Sequence, residues 1–324
     1  MADDEAVIHD GTTVRRYPDL EPDRPYEYDG FAFRTLPVRG ERLATFATVN
    51  DVHFGETECG IMEGFDMGPV FTVPHGEEPH PDFMNRGAIE EIAAADVDAV
   101  VVKGDLTSIG TRDEYQAFLD AYEPAFGDRL HHVRGNHDAY HGENYADDAP
   151  FSVALPGVLL AVIDTTIPRE TPGRVTDETL EWLGDLASSA DRPVLVFGHH
   201  HVWSPESKTR PDGYFGINPD DSEKLVELFA SQSRLAGYFA GHTHRNRVRR
   251  FSLTGRVPWV EVACVKDYPG SWAEYRVFEG GITQIHRRIS TEKALEWTEK
   301  TREMFGGLYQ DYAFGDLEDR CFEI

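Results

Sequence analysis

Cysteine is scarce in this chain. Cys59, Cys264 and Cys321 are scattered over 324 residues, with no Cys-X-X-Cys pair, which argues against a disulfide framework and against a zinc ribbon. Basic residues are also few: 31 Lys and Arg face 58 Asp and Glu, leaving a formal net charge of -27. A surface of that sign repels a polyanion, so nucleic acid is not an expected partner. The short cluster Arg245, Arg247, Arg249 and Arg250 cannot reverse that field and reads as an exposed strand edge. Long apolar runs are missing too. No stretch approaches the ~18 residues needed to span a bilayer, and the opening MADDEAVIHDG is acidic where a secretory leader would be basic and then apolar. Internal repeats and low-complexity tracts are likewise absent. These absences lead us to expect a soluble protein of the cytoplasm with no membrane partner, and they leave its oligomeric state open.

What is present is the composition of an ordinary folded protein, 40% hydrophobic and 27% charged, long enough for a sizeable core. Residues 1–40 are rich in Asp, Glu, Pro and Arg without clear periodicity, and we expect them to wrap the surface as an arm. A rhythm then begins. Short apolar runs at 43–48, 98–102, 130–133, 158–163, 194–197 and 235–240 read as buried strands, and helical patterns lie between several of them at 83–95, 112–125, 176–189 and 221–231. That alternation predicts an α/β layered sheet. From 246 to 288 strand follows strand, with Gly280-Gly281 as a hairpin turn between 273–279 and 282–287. We therefore expect a main domain over 41–290 and a C-terminal helical extension over 291–324, whose acidic ending after Gly306-Gly307 reads as peripheral. Two connections are long enough to suggest lids or binding loops, above ~12–15 residues. One, from Phe54 to Pro81, carries Glu58, Glu63, Asp66 and His75. The other, from Val202 to Pro219, carries Lys208, Arg210, Tyr214 and Phe215. Tolerated surface insertions would look the same.

Chemistry-bearing residues cluster just past the apolar runs. Asn50-Asp51-Val52-His53 ends the first strand; in an extended segment, residues two apart point the same way, so Asp51 and His53 can converge on one ion. Lys103-Gly104-Asp105-Leu106 follows Ala99-Val100-Val101-Val102 and puts a carboxylate where α/β sheets build their sites, although Asp105 alone reads better as a helix cap. Gly135-Asn136-His137-Asp138 combines an amide oxygen able to ligate with a neighbouring His free for proton transfer. A turn with a left-handed Asn would suit the Gly-Asn pair as well. Gly198-His199-His200-His201 and Gly241-His242-Thr243-His244 repeat the pattern of strand, Gly and His. The three consecutive imidazoles cannot all be ligands, and the one-residue spacer of the last motif lets two imidazoles leave on the same side. Parallel strands carry their C-terminal edges to one rim, so five such loops meet in space.

In order and residue type this series resembles the calcineurin-like metallophosphoesterase superfamily: Asp-X-His, Gly-Asp, Gly-Asn-His-Asp or Glu, Gly-His and Gly-His-X-His. Within it, the final Gly-His-Thr-His and the compact layout are similar to the cyclic-nucleotide and glycerophosphodiester phosphodiesterases. The resemblance covers Asp51 to His244. It implies a four-layer α-β-β-α sandwich of two mixed sheets flanked by helices. It also implies two divalent or trivalent metal ions, Mn, Fe, Zn or similar, and a small phosphoester substrate. Asp51, His53 and His244 would hold one ion, Asn136, His199 and His242 the other, and Asp105 would bridge them. His137 would be the unligated proton donor, steered by Asp138. His201 stands where related sequences often have Pro, which leaves the fourth-motif ligand open between His199 and His200. Two ions ~3.5–4 Å apart can hold a bridging hydroxide for in-line attack while a protonated His137 serves the leaving oxygen. The expected function is thus phosphodiester hydrolysis. A phosphomonoesterase of the same fold and a non-catalytic metal-stabilised scaffold are the alternatives.

Overall fold

The strand Ala99–Lys103 shows why the chain builds layers. Successive residues of a strand face opposite sides. Ala99 and Val101 enter a core shared with Phe46, Leu160, Phe197, Phe239 and Tyr275, whereas Val100 and Val102 join Phe83, Ile92, Phe118 and Trp297 on the other side. A strand apolar on both faces has to be covered twice. Val194–Phe197 behaves alike: Leu195 and Phe197 face the first core, and Val194 and Val196 pack outward with Leu183, Leu225 and Phe229.

The computed structural model describes residues 1–62, 64 and 67–324; Glu63 and Asp66 of the first long connection lie outside the described residues. Two six-stranded sheets face each other. In the first, Arg42–Val49, Ala99–Lys103 and Leu130–Val133 run parallel, and Ser271–Phe278 pairs antiparallel with Arg42–Val49. Gly281–Arg288 extends that side as a hairpin arm. In the second, Val158–Val162, Val194–Phe197, Leu235–Ala240 and Trp259–Glu261 run parallel, and Phe151–Leu155 and Arg247–Arg249 close the edges antiparallel. The basic cluster thus does include an edge strand, and its Arg245, Arg247 and Arg249 gather around buried Glu261. Helices His80–Ala94, Arg112–Phe126 and Glu292–Thr301 cover the first sheet. Asp177–Ser189 and Pro219–Ser231 cover the second. This is the expected α-β-β-α sandwich. Local signals start the helices where the periodicity placed them: Thr111 caps with a reciprocal Glu114, and Asn218 caps ahead of Pro219.

The two ends of the chain are more structured than expected. Residues 1–40 form two hairpins, Ala6–Asp10 with Thr13–Tyr17 and Pro25–Tyr28 with Phe31–Arg34, and Asp3 accepts from buried Arg276 at 2.6 Å. The C-terminal ending is not peripheral. Phe322–Glu323 pairs beside Gly281–Arg288, and Tyr309 and Ala313 are buried against the first sheet's outer core. The reason is that Tyr309, Ala313 and Phe322 carry apolar surface that the acidic composition of the tail conceals. Among the described residues no helix is long and apolar enough to cross a membrane, and all three cysteines are free and buried.

Candidate metal centre

The five motif loops leave the C-terminal ends of parallel strands in both sheets, and backbone bonds stitch them together. Asp51 N–H donates to the Gly104 carbonyl at 3.1 Å, and Gly241 N–H donates to the His199 carbonyl at 2.9 Å. The loops approach closely because they carry glycine. Gly104 has φ +87°, and a Cβ there would lie 2.5 Å from His199 Nδ1 and 2.8 Å from the Gly135 Cα.

The ligand-bearing residues are not extended. Asp51, His53, Asp105, His242 and His244 have φ of 53°, 47°, 50°, 66° and 54°, a left-handed region that costs an L-residue roughly 1–2 kcal/mol. The expected strand-like alternation at Asp51 and His53 is therefore corrected. Their side chains converge because the backbone turns twice, and such strain in one small region marks a functional site.

Asp105 does not cap the following helix, which Thr111 caps. Its Oδ2 lies 3.5 Å from His53 Nε2 and 3.3 Å from His199 Nε2, and its Oδ1 accepts from the His137 N–H at 3.0 Å. It faces both halves of the centre. On one side, Asp51 Oδ1 is 3.5 Å from His244 Nε2, and ligand atoms of Asp51, His53 and His244 lie within 4.8 Å of one another. On the other, Asn136 Oδ1 is 3.0 Å from His199 Nε2, while its amide nitrogen donates to the Tyr140 hydroxyl at 2.8 Å and so turns the oxygen inward. His242 joins His199 and His200 in a third cluster within 4.8 Å.

His200 belongs to that cluster by distance, but both its nitrogens are engaged. Nδ1 pairs with the Thr165 hydroxyl at 2.8 Å and Nε2 with the Thr171 carbonyl at 3.0 Å. His199 instead gives Nδ1 to the Lys103 carbonyl at 2.8 Å and leaves Nε2 facing Asp105. The geometry favours His199 over His200 as the ligand. His201 lies against Tyr214 and Phe215.

His137 sits at the rim, its ring 4.5 Å from that of His53. Asp138 does not steer it, and that expectation is corrected. The Asp138 carboxylate accepts from Leu106 N–H at 3.0 Å, Thr107 N–H at 2.9 Å, Thr107 Oγ1 at 2.6 Å and Gly135 N–H at 2.7 Å, which saturates it. The His137 imidazole is held at Nδ1 by the Ser108 carbonyl. Asp138 clamps the loop that carries Asp105.

The electrostatics suit cations. Burial would raise the carboxyls of Asp51 and Asp105, yet the facing imidazoles of His244 and His199 hold both below the usual range. Burial would lower His199 and His244, but Asp105 outweighs it at the first, lifting that imidazole to about 9, and Asp51 at the second, so an ion binding at either must displace a proton. His53 and His242 are pushed down by burial to about 4 and about 3, and neutral imidazoles are the ligating form. Both His53 ring nitrogens are buried without a hydrogen-bond partner. Two buried carboxylates, an inward amide oxygen and imidazoles of which His53 is wholly unpartnered form an O/N donor set that fits transition-metal ions and selects weakly among them.

Residues 44–246 match the family described as calcineurin-like phosphoesterase, and the chain belongs to that family. Among curated relatives, it is 31% identical over 160 residues to glycerophosphodiester phosphodiesterase GpdQ of Enterobacter lignolyticus, covering 45% of this chain and 56% of that one. It is 26% identical over 182 residues to the 3',5'-cyclic adenosine monophosphate phosphodiesterase CpdA of Pseudomonas aeruginosa, covering 54% and 64%. The chain spans about half the length of the curated relatives it matches. In fold it is similar to a dimetal phosphatase from Danio rerio, with TM-score 0.55, 16% identity and coverage of 76% of this chain and 97% of that one. It is also similar to the purple acid phosphatase PPD1 from yellow lupin seeds, with TM-score 0.51, 15% identity and coverage of 86% and 60%.

Sequence reasoning missed several contributors. Ser108 holds His137 through its carbonyl, and the Phe215 carbonyl accepts from His242 Nε2 at 2.7 Å; backbone acceptors leave no residue-type signal. Glu56, Lys266 and Asp267 lie behind the centre, and the Lys-Asp pair inside the apolar run Val262 to Tyr268 was a readable sign of buried charge.

Proposed function

We propose that the protein is a hydrolase that splits small phosphodiesters at a two-ion centre of Mn, Fe, Zn or similar metals. The observation that carries this reading is the convergence of Asp51, His53, Asp105, Asn136, His199, His242 and His244 from five separate loops, with Asp105 facing both halves. Bound ions supply Lewis-acid polarisation of the phosphoryl group and a water of lowered pKa. Asp51, His53 and His244 would hold one ion, Asn136, His199 and His242 the other, and Asp105 both. His137, with Nδ1 tied to the Ser108 carbonyl, presents Nε2 as the proton donor to the departing alkoxide.

A diester is favoured over a monoester because the cations nearest the motif loops in sequence are engaged elsewhere. Lys103 Nζ donates to Asn50 Oδ1 at 2.7 Å and the Ala240 carbonyl at 3.2 Å. Arg134 pairs with Asp164 at 2.5 Å. Arg210 of the second long loop is held by Asp220 and Glu223 rather than reaching in. A dianionic monoester would need such charges, whereas a monoanionic diester does not. The phosphodiesterase names of the relatives tilt the same way. The negative surface disfavours nucleic acid, whereas for a small phosphoester bound ions would outweigh it at short range, and the three unpaired cysteines suit the cytoplasm. The deciding experiment compares kcat/KM for bis-nitrophenyl phosphate, a cyclic nucleotide, a glycerophosphodiester and nitrophenyl phosphate on metal-reconstituted protein. We expect a diester to lead; a monoester preferred over every diester would overturn the assignment.

A further inference from the structure

Away from the motif loops, the molecule holds a cavity of about 930 Å³, within the size range of small-molecule sites. It reaches Arg42 and Thr45 at the start of the strand whose other end leads to Asp51, and none of the proposed metal ligands lines it. Its walls come from the hairpin Ala6–Asp10 with Thr13–Tyr17, the strand Gly281–Arg288 and the segment from Phe314 to Cys321. In a chain of net charge -27, cations collect here: His9, Arg16, His286, Arg288 and Arg320 all line the cavity. Phe314 draws two of them together, with the Arg320 guanidinium 3.8 Å over its ring and the His286 ring 6.0 Å away. Arg288 pairs with Glu299 at 3.2 Å. Arg16 instead donates to Ser290 Oγ and Arg320 to the Asp316 carbonyl, both at 3.2 Å, and among the described residues neither has a carboxylate partner. His9 Nδ1 and His286 Nε2 are buried without a hydrogen-bond partner. The carboxylates that line the cavity do not answer these groups. Glu5 and Glu274 are taken by Arg287, Glu91 accepts from the Trp272 indole and the Ser290 N–H, and Asp96 is exposed.

We propose that this cavity binds a small organic phosphomonoester, its phosphate among His9, Arg16, His286 and Arg320 and its carbon skeleton along Ile8, Phe33 and Leu317. Buried imidazole nitrogens without a partner work against folding, and an anion accepting from these side chains removes that cost. Guanidinium forks match phosphate oxygens. A phosphate group also offers three terminal oxygens for four side chains to share, where a carboxylate offers two. The local field agrees. Burial, Arg320 and the amino terminus hold His286 well below the ordinary histidine value, and burial, Arg288 and Arg16 hold His9 at about 3. The part of that field which repels a proton from both rings attracts an anion. Ile8, Phe33 and Leu317 line the same cavity and give the ligand an apolar side. The hairpins of residues 1–40 lie outside the residues 44–246 that match the family, and in this chain they form one wall of the site. The site stands independently of how the metal centre is read.

The test titrates the full chain with phenyl phosphate, once loaded with Zn(II) and once after chelation, since a phosphomonoester can also ligate metal ions. Calorimetry of the chelated chain should show one phenyl phosphate bound. Inorganic phosphate should bind about 10-fold more weakly for want of an apolar part, and benzoate scarcely at all. The imidazole resonances of His9 and His286 should move during the phenyl phosphate titration in both metal states. Arg320→Met should weaken binding to the chelated chain about 10–100-fold, the loss of a hydrogen bond to a charged group. Arg16→Gln should weaken it as well, and because the Arg16 side chain is exposed, that variant decides if Arg320→Met does not fold. No binding to the chelated chain, still resonances at His9 and His286, or unchanged affinity in the folded variants would overturn the site. Benzoate bound as tightly as phenyl phosphate would overturn the phosphate assignment, and inorganic phosphate bound as tightly would overturn the apolar half.

Discussion

The His242 imidazole is fixed from outside by the loop it faces: its Nε2–H donates to the Phe215 backbone carbonyl at 2.7 Å, so the ring's remaining lone pair is that of Nδ1. Phe215 is 47% exposed and lies against the rings of His201 and His242. The long connection from Val202 is thereby part of the centre.

That bond separates two substitutions. A Cβ at Gly216 would collide with the His201 carbonyl, so Gly216→Ala should displace the Phe215 carbonyl and cost about 10-fold in metal affinity, the lower end of an outer-shell loss. Phe215→Ala keeps the carbonyl. It should leave metal content normal and raise KM for diesters with aromatic substituents. Elemental analysis alongside kcat/KM distinguishes the two.

Stripping the ions should abolish phosphoesterase activity, and Mn or a similar metal should restore it. The restored protein should also melt higher, since a ligand at 100 times its Kd stabilises by about 2.7 kcal/mol. Asp105→Asn removes charge from the carboxylate that faces His53 and His199, and occupancy should fall together with rate. Full activity in chelator-treated Asp105→Asn would refute the bridging role.

His137→Ala should lower the rate on poor leaving groups by ~10²–10⁴-fold and affect nitrophenyl esters much less, because an acidic leaving group needs little protonation. Metal content should stay near normal. Equal losses on both substrate types would remove His137 from the proton-donor role.

Asp138→Asn addresses the corrected assignment. Its carboxylate accepts four hydrogen bonds from Leu106, Thr107 and Gly135 while fully buried, so the substitution should destabilise the fold by about 3 kcal/mol. Urea unfolding of the metal-free protein measures this directly. A normal midpoint with a selective loss of rate would instead restore a role beside His137.

Acid sensitivity should come partly from imidazoles outside the centre. Burial pushes His132 down to about 4 and His9 to about 3. Below the ordinary histidine value near 6.5 the unfolded chain takes up protons that the folded chain refuses. Stability is therefore lost as pH falls from about 6.5 toward 4 and regained as it rises. At pH 5.5 each group should cost about 1 kcal/mol. His132→Gln should show a smaller drop in urea midpoint between pH 7.5 and 5.5 than the unsubstituted chain.

The layered fold was legible because its strands are short, apolar on both faces and separated by capped amphipathic helices, all of which are local properties. Val100, Val101 and Val102 announce a doubly covered strand wherever they stand. The five motif loops were legible for a related reason: a Gly followed by Asp, Asn or His just past such a strand is a local pattern, and parallel strands bring like ends together. The register of the C-terminal ending was not, since Phe322–Glu323 finds its place only by pairing with Gly281–Arg288.

By itself, then, the sequence determined which residue types reach the rim of the two sheets, because hydrophobic periodicity and strand direction act over a few neighbouring residues. Only the tertiary structure decided how they are used. The left-handed turns at Asp51, His53, His242 and His244, the engagement of His200 by Thr165 and Thr171 and the attachment of Asp138 to Thr107 rather than His137 depend on neighbours far away in the chain. So does the joining of Glu56 to Asp267 through Lys266. A hydrogen bond or ion pair is set by distances of a few ångströms in space, and the separation of its partners along the chain carries no record of it.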